Sequence, residues 1–132
     1  MKFSCLPCSL FGEVIDGRMS VADWSRLAKE LGLDGFDITI LFVRDRTPAG
    51  LAKMRRELEA GGLPVLMMSI YPDLTDLRPG VFEKELIRAK SDIAVASDLG
   101  VKIVRITAGQ FHPESDPEKQ LSQSIRGILD AK

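Results

Sequence analysis

Apolar residues recur along this chain in two alternating rhythms. A stretch with helical spacing runs into a Leu-Gly or Gly-Gly stop and then directly into an apolar strand, three times over: Ala28 to Ile38, Leu58 to Met68 and Ala96 to Ile106. The interval between stops is close to one βα unit, so the pattern predicts parallel strands joined by crossover helices. Strands are predicted over 2–10, 35–42, 64–71 and 101–108. Ser20 caps the first helix, with Asp23 in the capping-box position and Val21, Trp24, Leu27, Ala28 and Leu31 on one apolar face. Thr47-Pro48 opens the second, lined by Leu51, Met54 and Leu58 and stopped at Gly61-Gly62. Gly80 leads into the third, whose face is Phe82, Leu86, Ala89, Ile93, Ala96 and Leu99. Asp116 and Pro117 start the fourth, which sets Leu121, Ile125 and Ile128 at helical spacing. Segments 12–19, 72–80 and 109–115 have the composition of loops.

Alternate residues of a strand face opposite sides of its sheet. Over 35–42, Phe36, Ile38 and Ile40 share one side, and Asp37, Thr39 and Leu41 the other. Over 101–108, Val104 and Ile106 share one side, and Ile103, Arg105 and Thr107 the other. One side of each strand is wholly apolar, as expected beneath helices, and the other mixes polar with apolar groups, which suits the inside of a barrel near its rim. The expected fold is therefore α/β: four parallel strands in sequential order with helices on the outer face, a half barrel, forming a single domain over 1–132. The repeat stops within the fourth helix at Lys132, whereas a (β/α) barrel typically takes about 250 residues. The expectation is an amino-terminal half, completed by self-association or by a missing carboxy-terminal half.

Composition narrows the partners. With 45% apolar and 28% charged residues among 132, the chain is an ordinary globular one. No apolar run approaches the roughly 20 residues of a membrane helix, and the amino terminus lacks a secretion-type stretch, so no membrane partner and a cytoplasmic location are expected. The 18 basic and 19 acidic residues are interspersed, for a net charge of −1, which gives no electrostatic footprint for nucleic acid. A small neutral or anionic metabolite fits better. Gly-x-Gly-x-x-Gly, Walker and Gly-x-Ser-x-Gly motifs are absent from the sequence, which removes the usual support for dinucleotide, NTP and serine-hydrolase readings.

Asp37 and Arg105 are the two charges embedded in apolar strands, both on the side away from the helices. As a pair they either line a ligand cavity, with guanidinium donors left for a substrate oxygen, or fill the interior as a structural ion pair. Ser69 and Tyr71 end the third strand on one parity, and Asp73 follows in its loop; each is a rim contact or a loop anchor. His112, the only histidine, lies in the loop after the fourth strand, where (β/α) folds carry their chemistry. Cys5 and Cys8 have Cys-x-x-Cys spacing, but a loop rather than a helix follows and no second pair exists. Two reduced, metal-free thiols packed at a strand end are expected.

Two junctions resemble a known family. The run from Leu31 through Gly35-Phe36-Asp37 to Ile38 resembles the first helix-to-strand junction of xylose isomerase-like TIM barrels, with Asp where the family usually carries Glu. The run from Asp98 to Arg105 resembles the later junction, where an Arg late in the strand is common. That resemblance implies a sugar or sugar-phosphate isomerase or epimerase, working by metal-assisted proton transfer through an enediolate. It implies a divalent metal (Mn, Mg, Co or Zn) whose ligands come from later strands and are not in this chain, and a small sugar substrate contacted by Asp37, Arg105, Ser69, Tyr71 and His112. The family often has a His near the end of the third strand, where this chain reads Met68-Ser69-Ile70-Tyr71. A flavodoxin- or receiver-like open sheet and an abasic-site endonuclease-type barrel are the alternatives.

Overall fold

The computed structural model describes residues 1–132. It contains α1 (Phe11–Ile15), α2 (Val21–Glu30), β1 (Phe36–Thr39), α3 (Pro48–Ala60), β2 (Val65–Ile70), α4 (Val81–Asp98), β3 (Ile103–Ile106) and α5 (Pro117–Asp130). The strands form one sheet in the sequential order β1-β2-β3, which is the order of a barrel segment. Contacts divide the chain into two compact units, Met1–Ser69 with Val95–Val104, and Ile70–Ala94 with Arg105–Lys132. No helix is long and apolar enough to cross a membrane.

In the first unit, α2 begins with the expected capping box: Asp23 N–H donates to Ser20 Oγ at 3.1 Å and Ser20 N–H to Asp23 Oδ2 at 2.9 Å. The Ser20 hydroxyl and amide, with the Arg26 guanidinium, hold the Asp23 carboxyl down at about 2. β1 pairs with β2 in parallel, with Asp37 opposite Met67, Ile38 opposite Met68 and Thr39 opposite Ser69. Phe36, Ile38 and Met68 are fully buried, so the apolar side lies in the core. β1 is shorter than expected because Leu41 N–H turns back to Thr39 Oγ1 at 3.3 Å and a 3-10 turn occupies Ile40–Phe42.

The strand expected over 2–10 does not form. Phe3 and Cys5 carbonyls accept from the amides of Asp34 (2.9 Å) and Asp37 (3.0 Å), so the segment runs extended beside β1. Pro7 then offers no N–H, its carbonyl takes the Leu10 amide, and a 3-10 turn at Cys8–Leu10 leads into α1 where a loop was expected. Three strands are thus formed rather than four. Cys5 and Cys8 are free thiols, both exposed rather than packed.

In the second unit, α5 is capped by Asp116, whose Oδ1 accepts from Glu118 (2.9 Å) and Lys119 (3.0 Å) amides. Its rotation inverts the obvious pattern. Gln120, Ser124, Gly127 and Ala131 face inward, while Leu121 (61% exposed), Ile125 (51%) and Leu129 (58%) face out. Polar bonds set this choice: Gln120 Nε2 donates to the carbonyls of His112 (2.8 Å) and Ser115 (3.1 Å), and Gln123 Nε2 to those of Leu74 (3.1 Å) and Asp76 (2.9 Å). A Cβ at Gly127 would press on the Leu74 and Phe82 side chains at 3.0 Å, so any larger residue would push both aside.

Two outcomes follow from this packing. A Cβ at Gly61 would overlap the Ser25 side chain where α2 meets α3, although Gly61 has φ −70°, and the positive-φ helix stop is Gly62 at +83°. Gly61→Ala is expected to cost about 1–3 kcal/mol in urea melts, and a double-mutant cycle with Ser25→Gly to show a coupling of about 0.5 kcal/mol or more. On α5, Ile125→Lys is expected to stay within about 0.5 kcal/mol of the parent, and Gly127→Val to lose about 1–3 kcal/mol, both read by circular dichroism.

Candidate functional site

Parallel strands deliver their side chains to a rim at their carboxyl ends, and each unit places polar groups there. In the first unit, the β1–β2 register aligns Asp37 and Thr39 with Met67 and Ser69 on the side opposite Phe36 and Ile38. Asp37 is 4% exposed and Ser69 fully buried. Asp37 Oδ2 accepts from the Ser4 hydroxyl at 3.0 Å, its backbone carbonyl takes Trp24 Nε1–H at 3.3 Å, and its amide donates to Cys5. Asp37 Oδ1 and Ser69 Oγ have no hydrogen-bond partner. Burial pushes the Asp37 carboxyl pKa up, against the Ser4 hydroxyl and the nearby Met67 amide, which favour the charged form. A buried polar atom left unpaired costs about 1–3 kcal/mol.

In the second unit the Asp73 and Asp76 carboxylates are engaged on both oxygens. Asp73 Oδ1 accepts from the Thr75 hydroxyl (2.7 Å), the Thr75 amide (3.4 Å) and the Gln110 amide (3.3 Å), while Oδ2 lies 3.0 Å from His112 Nε2. The Thr75 hydroxyl also reaches the Gln110 carbonyl, and Leu74 N–H donates to Ala108. These bonds tie the loop after β2 to the loop after β3. Gly109 (φ +135°) is required at the crossing, since a Cβ there would overlap Asp73 and Thr75. His112 is held by its backbone, its amide donating to Gln120 Oε1 at 3.0 Å, and its Nδ1 lies 3.6 Å from Glu114. Burial works to raise the Asp73 carboxyl, but the Thr75, Gln110 and His112 hydrogen bonds outweigh it and hold it below its ordinary value. Asp76, buried and gripped by the Arg78 guanidinium and amide, is held down at about 2.

Asp73, Asp76 and His112 each offer one ligand atom, all within 4.8 Å of one another, and form the group in this chain that could hold a metal ion. Its donor atoms are already committed. A cation would have to displace Arg78 from Asp76 and the imidazole from Asp73, so the arrangement fits a loop clamp better than an open coordination site. Asp76 is the member that sequence reasoning passed over. Its signal was present in the two aspartates of the 72–80 loop and the lone histidine of the next.

The remaining candidates are placed separately. Tyr71 is half-buried and its carbonyl accepts from Arg88, which pairs with Glu85 at 2.7 Å; Glu85 in turn accepts the Asp73 amide at 2.8 Å. Arg105 is exposed on β3. The structure joins His112 to Asp73, and it joins Asp37 to Ser4, a partner with no marker in the sequence pattern.

Comparison with known proteins fits this geometry. The fold is similar to that of a D-psicose 3-epimerase solved in the presence of D-fructose, with TM-score 0.74 at 14% identity over 97% of this chain and 46% of that one. It is also similar to the probable 3-DHS dehydratase AsbF involved in petrobactin synthesis from Bacillus anthracis (TM-score 0.71, 19% identity, 99% and 47% coverage). A third likeness is to 3-keto-D-glucoside 4-epimerase YcjR from E. coli (TM-score 0.64, 20% identity, 99% and 51% coverage). The chain spans about half the length of these structures. No curated protein matches its sequence. The model of one family, described as xylose isomerase-like TIM barrel, matches residues 25–131, and the chain belongs to that family.

Proposed function

We propose that this chain is the substrate-binding portion of a sugar or sugar-phosphate isomerase or epimerase. Family membership together with two epimerases among the structural neighbours supports the class, and the observation that carries the reading to residues is the buried, incompletely paired Asp37 carboxyl on the polar side of β1. The proposed reaction moves a proton at the carbon beside the sugar carbonyl through an enediolate. A divalent metal would supply Lewis-acid stabilisation of the developing oxyanion, and the committed donors of Asp73, Asp76 and His112 do not offer it an open site. The residues present here bind and orient. Asp37 and Ser69 are assigned to substrate hydroxyls in the first unit, and Tyr71, Arg105 and His112 to substrate contact in the second, with Asp73 fixing the orientation of the imidazole ring by holding Nε2. Completing (β/α) units, from a carboxy-terminal half or a second copy, belong to the same proposal and are supported by the outward apolar stripe of α5. A cytoplasmic setting completes it.

Ligand-detected NMR with D-fructose, D-psicose, D-xylulose and D-fructose 6-phosphate tests the reading. Saturable binding of at least one of the four is expected, weakened fivefold or more by Asp37→Asn, with deuterium exchange beside the carbonyl only when the metal-bearing half is supplied. The absence of saturable binding across the four would overturn it.

A carboxyl kept for a ligand should also cost stability. Because the folded-state pKa of Asp37 is raised, the folded state is favoured at pH below the ordinary carboxylate pKa and loses that advantage as pH rises through the folded value. Asp37→Asn is therefore expected to raise the Tm at pH 7 and to give no gain at pH 3, as measured by thermal melts across that range.

A further inference from the structure

Two orphaned atoms on one side of the sheet point to the chemistry of the ligand. Asp37 Oδ1 and Ser69 Oγ are both unpartnered, on side chains more than nine-tenths buried. Their strands are neighbours in parallel register, Asp37 opposite Met67 and Thr39 opposite Ser69, so the two share a side, one strand across and two residues along. Strand spacing and rise put their backbone positions roughly 8 Å apart, with both side chains standing off the same surface. Native interiors leave few polar groups unpaired, and two so close together need a common explanation.

The second oxygen of Asp37 shows what fits. Asp37 Oδ2 accepts from the hydroxyl of Ser4 at 3.0 Å, and Ser4 is exposed, in the extended segment before α1. An alcohol O–H thus already donates into this carboxyl from a residue that solvent can reach. The groups acting on the carboxyl are the Ser4 hydroxyl and the Met67 amide, both neutral. A phosphate dianion brought here would meet an acceptor in a low-dielectric setting with only a neutral hydroxyl and a neutral amide nearby, which is unfavourable. A sugar hydroxyl would meet a complementary acceptor.

We infer that Asp37 and Ser69 form a hydroxyl-binding subsite for an unphosphorylated polyol end of the substrate, Asp37 Oδ1 accepting from one hydroxyl, as Oδ2 already does from Ser4, and Ser69 bonding a second. The inference rests on the sugar-enzyme reading and narrows it from sugar or sugar phosphate to a sugar whose bound end carries no phosphate.

The test is 13C NMR of the Asp37 carboxyl in the full chain, titrated separately with D-sorbitol, D-fructose and D-fructose 6-phosphate. D-sorbitol has no carbonyl and reports the subsite alone. A saturable shift is expected with D-sorbitol and D-fructose, at least tenfold weaker with the 6-phosphate, and at least fivefold weaker for the two neutral ligands in Ser69→Ala. Ser69→Cys, which keeps a heavy atom at the γ position but weakens the hydrogen bond, is expected to fall between and guards against a folding artefact in the alanine variant. Equal or tighter binding of the 6-phosphate, or a shift unchanged by both Ser69 substitutions, would overturn the subsite. So would no shift with any of the three, even where ligand-detected NMR finds a ketose bound elsewhere. A sorbitol shift without ketose binding would leave the subsite standing and remove the isomerase reading instead.

Discussion

The parallel pairing of β1 with β2 is the constraint on which the first unit depends. Once Ile38 stands opposite Met68, alternation leaves no freedom: Phe36, Ile38 and Met68 go into the apolar core, and Asp37, Thr39 and Ser69 are sealed on the other side. The extended segment at Phe3–Cys5 and the indole of Trp24 then use the Asp37 backbone, so the residue is fixed from three directions before its carboxyl does anything. A one-residue slip would bury polar groups under the helices and expose the core face. That penalty is what makes the placement of Asp37 definite.

Two aspartates illustrate how the same side chain is turned to different ends. Asp73 is partly buried, yet a hydroxyl, amides and an imidazole supply more stabilisation of its charge than burial removes, and its carboxyl lies below the ordinary range. Asp37 is buried more deeply, with the Ser4 hydroxyl and the Met67 amide its only stabilising neighbours, and desolvation prevails. The first is the signature of a clamp: Asp73 organises two loops and leaves no acceptor to spare. The second is the signature of a group with unspent capacity.

Much of the architecture was legible from residue types. Gly32, Gly62 and Gly100 all adopt positive φ at the helix stops, and Ser20, Thr47 and Asp116 all cap their helices with side-chain oxygens, because local backbone geometry decides these positions. The parity that set Asp37 apart from Phe36 and Ile38 held for the same reason. What was not legible depends on long-range polar bonds. Leu121 and Ile125 carry the obvious apolar spacing of α5, but the Gln120 and Gln123 amides and the small Gly127 decide which side turns inward. Likewise nothing in the apolar run at the amino terminus marks where it stops pairing; Pro7 and the turn after it do that. The Asp73–Asp76–His112 group joins residues from two loops, and sequence distance conceals it.

The distribution of unpaired groups bears on what the first unit is for. A small unit gains only a few kcal/mol of net stability, so orphaned polar atoms at about 1–3 kcal/mol each are a heavy load on one strand pair. Apolar alternatives were chemically near at hand: leucine at position 37 and alanine at 69 would leave no side-chain polar atom to satisfy. In the second unit, Asp73 and Asp76 are bonded on both oxygens. Asp37 and Ser69 depart from that standard together, on adjacent strands and on the same side.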